Sequence, residues 1–238
     1  VIVLLTYGNL RGVKEAGKAF ALPTYIFLVA MIITFTTGLW KYFNGNLVML
    51  DTNQPGAISI GTEQGLLTFA SIFILLRAFA NGGSSLTGLE AISDGVALFE
   101  VPEHKNARRT LVIMSAILGT LVLGVSWFAY KIHAIPYESG TPTVISQIAK
   151  VSLGEGATGQ ILFIFVQFAT TLILFAGANT TFSAFPILCN FVATDGFLPK
   201  QLTKRGHRLT FSNGIIFLAV AAAIFIVTTG ASVEHLVA

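Results

Sequence analysis

Charge is what this sequence has least of. Only 11 % of its 238 residues are Asp, Glu, Lys or Arg, against 54 % apolar residues. Ordinary globular domains are about a quarter charged. A chain this poor in charge lacks the polar surface that a water-soluble fold needs, which points to an integral membrane protein. The net charge is +3, from 14 basic and 11 acidic residues. In a soluble protein that surplus would hint at nucleic acid. In a membrane protein it is read by position, as topology, and no nucleic-acid partner is expected.

Cysteine is nearly absent. Cys189 stands alone, so no disulfide within the chain is possible, and no Cys pair or His–Cys spacing suggests zinc. It lies in the apolar run PILCNF and reads as a small buried hydrophobe. The histidines His104, His133, His207 and His235 fall outside the apolar runs, as interfacial or loop residues. Catalytic signatures are lacking too: there is no Ser/His/Asp grouping, HExxH, CxxC or phosphate loop. A non-enzyme without a cofactor is expected. The alternating pattern of a membrane β-barrel is also missing, which leaves helices to satisfy the backbone in lipid.

Long charge-free runs are what the sequence has instead. They cover 19–40, 110–130, 156–194 and 209–233. Each can cross a hydrocarbon core of roughly 30 Å at about 1.5 Å per residue. Residues 64–76 are apolar up to Arg77, and a second uncharged run, 78–89, ends at Glu90. Together they make one crossing with a defect inside it. The expected spans are 19–40, 64–99 broken near 82–85, 110–130, 158–190 and 210–232, in a single transmembrane domain over 1–238. Residues 1–10 are too short to span and lack a signal peptide's charged start and cleavage site. They read as the stub of a helix, in a chain that is a fragment.

Loop charge alternates along the chain. Loops 11–18, 101–109 and 200–208 hold ten Lys and Arg, whereas 41–63 and 131–155 hold only Lys41, Lys131 and Lys150. The positive-inside rule places the first set in the cytoplasm and the second outside. A multi-pass protein of the plasma membrane is expected, with the lipid bilayer as its first partner.

The defect reads RAFANGGSSLTGLEAISDG, residues 77–95. Gly82, Gly83, Ser84 and Ser85 form a poor helix sequence. Unwound backbone at that depth must be buried in protein or line a watery cavity, and discontinuous helices of this kind mark substrate and ion sites in transporters. Glu90 is a carboxylate inside the membrane, a functional hypothesis by default. If the helix resumes near Leu86, then Thr87, Glu90 and Asp94 at i, i+3 and i+7 share a face. Two half-helices would then meet at the break, one with its carbonyl end and one with its N–H end. Oxygen ligands from Thr87, Glu90 and carbonyls near Gly82–Ser85 suit an alkali cation. A zwitterionic amino acid, which needs an anion and N–H groups, fits as well. Gly82–Gly83 could alternatively be a helix-packing contact, Asp94 could be interfacial, and Arg77 reads better as structural support than as a ligand contact.

Several stretches resemble a known family. NLRGVKEAG (9–17) before an apolar span, the broken helix followed by EVPEHKNARRTL (100–111), and ATDGFLPKQL (193–202) are similar to segments of the amino acid–polyamine–organocation (APC) superfamily of transporters. RAFANGGSSLTGLEAIS, ANTTFSAFP (178–186) and RGHRLTFSNGI (205–215) are most similar to its bacterial KUP-type potassium importers. The resemblance implies an all-α LeuT/APC-type inverted-repeat fold, present here in part, from the end of helix four to helix nine, with a discontinuous helix six. It implies potassium uptake coupled to protons, with potassium held at Thr87 and Glu90 and the rest of the site on helices outside this chain. It further implies a homodimer as the assembly. An APC-type amino acid permease, moving a small amino acid, is the alternative, and a non-transport membrane scaffold or enzyme the third reading. In the implied fold Asn179, Thr180 and Thr181, with Ser183, lie on a helix that lines a second ion site, although polar contacts between helices explain the same cluster. Asp195–Gly196 reads as a helix-end turn.

Overall fold

The computed structural model describes residues 1–10, 16–51, 54–57, 69–83, 99–137, 140–203 and 212–230. Their regular elements are helices: α1 (Ile2–Leu10), α2 (Ala16–Phe43), α3 (Phe69–Gly83), α4 (Glu103–Ile132), α5 (Val144–Leu153), α6 (Ala157–Thr194) and α7 (Ser212–Thr228), with a 3-10 turn at Lys200–Thr203. Among the described residues there is no strand; Ala57 and Tyr137 make an isolated bridge. Among the described residues, three helices are long and apolar enough to cross a membrane: Ala21–Phe43, Glu103–Ile132 and Ala157–Thr194. Ser212–Thr228 is apolar as well, but shorter. The all-α membrane class expected from the charge-free runs is the one observed, because those runs leave few polar side chains to compete with the helical backbone.

The chain divides into two compact units, 1–36 with 153–238, and 37–152. In the first, α1, α6 and α7 pack together. Leu5, Phe182 and Ile215 form the core, flanked by Ile2, Leu10, Phe175, Leu218 and Ala219. The approach of α7 to α6 is close because a glycine faces the proline inside α6. A Cβ on Gly214 would stand 3.0 Å from Cα and Cβ of Pro186. Small residues at such crossings let helix backbones meet, the usual device where lipid removes the hydrophobic drive. Phe185 and Phe217 stack beside it, with ring centroids 6.1 Å apart. Helix α6 ends at the expected turn. Gly196 has φ +88, a left-handed conformation that glycine adopts without strain, and its N–H donates to the carbonyl of Ala193 at 3.2 Å.

In the second unit the end of α2 meets α4 and α5 around Gly38. A Cβ there would lie 2.5 Å from Cε1 of Phe128 and 2.6 Å from Oγ of Ser152. Lys41 donates from Nζ to the carbonyl of Val151 at 2.8 Å, a cation on the last turn of α5, where orphan carbonyls concentrate. Lys131 lies over the rings of Tyr42, Trp127 and Tyr130, 5.3 to 6.0 Å from their centroids. Aromatic rings clustered around a basic residue at a helix end match the interfacial belt of membrane proteins.

Helix α5 is a difference from the sequence expectation, which assigns 131–155 to an outer loop. The segment from Val144 to Leu153 is a ten-residue helix. Its buried Gln147 holds the chain that leads into it: Nε2 donates to the carbonyls of Ile135 (2.7 Å) and Pro142 (3.1 Å), and Oε1 accepts from the N–H of Ile135 (3.0 Å). One side chain thus supplies backbone partners that no strand or helix provides there.

Candidate functional site

The expected site falls partly on the described residues and partly outside them. Ser84, Ser85, Thr87, Glu90 and Asp94 lie outside the described residues, as does the expected restart of the broken helix. Gly82 and Gly83, expected in the unwound segment, belong to the last turn of α3 and are helical. Arg77 lies on the same helix, two turns from its start. The helix therefore continues through both glycines.

The polar cluster on α6 is described in full for three of its residues. Asn179 is buried, whereas Thr180 and Thr181 are exposed. Thr180 turns its hydroxyl back onto its own helix, donating to the carbonyl of Gly177 at 2.7 Å. Asn179 instead reaches another helix. Its Oδ1 accepts from Nδ2 of Asn9 on α1 at 2.6 Å, and the same Nδ2 also donates to the carbonyl of Leu5 at 2.9 Å. The structure brings Asn179 to Asn9 and leaves the two threonines exposed on α6.

Asn9 is the residue that sequence reasoning passes over. It figures there only as the first letter of NLRGVKEAG. The available signal is an amide at the end of an apolar run, and a run of ten residues has no periodicity strong enough to show which way that amide faces. Burial of both amides is tolerable because each satisfies the other; an unpaired one would cost a desolvation penalty. The pair sits one turn from the Leu5–Phe182–Ile215 core, with Leu5 and Asn9 at i and i+4 on α1 and Asn179 and Phe182 at i and i+3 on α6.

These helices define a polytopic membrane protein built from apolar helices, with the Asn9–Asn179 pair as a polar contact between two of them. A family model for amino acid permeases matches residues 1–238, the entire chain, and the chain belongs to that family of the APC superfamily. Membership brings the helical transporter fold that the sequence motifs imply. The chain is also 39 % identical over 238 residues to "Potassium transporter KimA" of Bacillus subtilis (strain 168). The match covers 100 % of this chain and 37 % of that relative, so the chain spans little more than a third of its length.

Proposed function

We propose that the protein imports potassium across the plasma membrane, driven by proton coupling. The observation that carries this reading is the 39 % identity to the potassium transporter KimA, in a match that spans the whole chain, RAFANGGSSLTGLEAISDG included. The chemistry of that stretch supports it. Thr87 and Glu90 offer a hydroxyl and a carboxylate three positions apart in the sequence, and Ser84 and Ser85 add hydroxyls next to the glycines in the chain. Hard oxygen ligands replace the hydration shell of an alkali cation. Arg77, Asp94, Asn179, Thr180 and Thr181 take supporting roles. The loops 11–18, 101–109 and 200–208 face the cytoplasm, and the assembly is a homodimer.

A second reading is a small-amino-acid permease, and the family model that matches the whole chain favours it. The two are separated by one experiment. The full-length protein is expressed in cells lacking potassium import, and growth is followed at low potassium. Rescue is expected from the wild type and not from Glu90→Gln, with membrane insertion of both checked by immunoblot. Well-inserted wild type that fails to rescue growth, together with uptake of labelled amino acid, would sink the potassium reading in favour of the permease.

A further inference from the structure

The first turns of α4 carry a feature that the transport reading does not use. Lys105, Arg108, Arg109, Val112 and Ile113 line an open groove of about 360 Å³. Their positions are i, i+3, i+4, i+7 and i+8, one face of a helix. All five side chains are exposed; Val112 retains 60 % and Ile113 49 % of its surface. None of the three cations makes an ion pair with a described residue. Glu103 lies two positions before Lys105, about 200° around the helix at 3.6 residues per turn, so it points away from the groove. Asn106, on another side, ties the entry of α4 by donating to the carbonyl of Glu100 at 2.9 Å.

The order of these groups along the axis is informative. Three cations come first, and one turn further toward the apolar body of α4 come two branched aliphatic side chains. A headgroup phosphate followed by an acyl chain has that same order. A soluble anion would use the cations and leave Val112 and Ile113 without a role. We propose that this groove is a binding site for an anionic phospholipid such as phosphatidylglycerol, with its phosphate on Lys105, Arg108 and Arg109 and the start of an acyl chain along Val112 and Ile113. Basic clusters immediately beside a membrane span attract anionic lipid in this way. The inference rests on Glu103–Ile132 as a membrane span and not on potassium as the substrate.

The test measures lipid retained by the full-length protein, by native mass spectrometry after reconstitution with phosphatidylglycerol or with phosphatidylcholine. Wild type is expected to retain phosphatidylglycerol in preference. Arg108→Gln and Arg109→Gln should each weaken that retention about fivefold, and the Lys105→Gln/Arg108→Gln/Arg109→Gln variant should abolish the preference. Exchange of the same positions for the other basic residue should keep it, which separates lost charge from lost fold. Inorganic phosphate should not displace the lipid. Equal retention of phosphatidylglycerol by wild type and the triple Gln variant overturns the proposal. So does displacement by phosphate, which would make the groove a site for soluble anions.

Discussion

Nδ2 of Asn9 donates to Oδ1 of Asn179 at 2.6 Å, joining side chains 170 residues apart in a setting where both are buried. The bond links α1 to α6 beside the Leu5–Phe182–Ile215 core. In lipid or in a packed helical bundle, water cannot replace either partner. Double-mutant cycles across Asn9→Leu and Asn179→Leu should therefore give a favourable coupling of about 0.6 kcal/mol, with about 1.7 kcal/mol as the upper end for membrane helices. Thermal unfolding in detergent checks it. Strict additivity of the two single variants would show that the amides do not stabilise each other.

Gly38 should not tolerate a methyl group. Its Cβ would overlap Phe128 and Ser152, and Phe128 is 2 % and Ser152 0 % exposed, so neither can swing into open space. Overpacking of this kind costs about 1–3 kcal/mol. The gain in helix propensity on replacing glycine by alanine is about 1 kcal/mol. The steric term wins, so Gly38→Ala is expected to lower the unfolding temperature, and Phe128→Leu in the same chain should recover part of the loss. A Gly38→Ala variant as stable as wild type would mean that α2 and α4 separate at little cost.

Gln147 makes its three backbone contacts from a side chain that is 6 % exposed. In Gln147→Leu the N–H and carbonyl of Ile135 lose their partner, at about 1–3 kcal/mol per buried group left unsatisfied. Hydrogen exchange at the Ile135 amide should accelerate, while amides in the middle of α6 keep their wild-type rate. Unchanged exchange at Ile135 would show that another group protects it.

Sidedness can be read by labelling. In a Cys189→Ser background, Asn46→Cys should react with a membrane-impermeant maleimide added to intact cells, and His104→Cys only after permeabilisation. Both positions are exposed, so access and not burial decides the outcome. Labelling of His104→Cys in intact cells would reverse the topology drawn from the ten-to-three imbalance of loop charge.

Much of the architecture is legible in the order of residues. Charge-free runs mark α2, α4 and α6, since a helix is the element that pairs every backbone group within one apolar segment. The Asp195–Gly196 turn is legible because glycine enters the left-handed region freely. Helix α5 is not, because Gly, Ser, Thr and Pro around it have the chemistry of a loop and ten residues give few turns of periodicity. Among the candidate site residues, Thr87 and Glu90 are legible as chemistry and spacing, and their geometry lies outside the described residues. Asn179 is legible as a polar group in a span, but its partner is not.

Composition and short-range pattern are enough to set the class of this protein: too few charges for a soluble fold, apolar runs of membrane length, and a polar, glycine-containing interruption in one of them. Those properties are local, since they depend on content and on periods of a few residues. Which helices meet, and what each polar side chain is for, follows only from packing in three dimensions. There Asn9 is the partner of Asn179, Gly38 leaves the gap that Phe128 and Ser152 fill, and Gln147 is the clasp on Ile135. These are contacts between segments that no local period links, and only packing, where each buried polar group must find a partner and each methyl a space, selects among them.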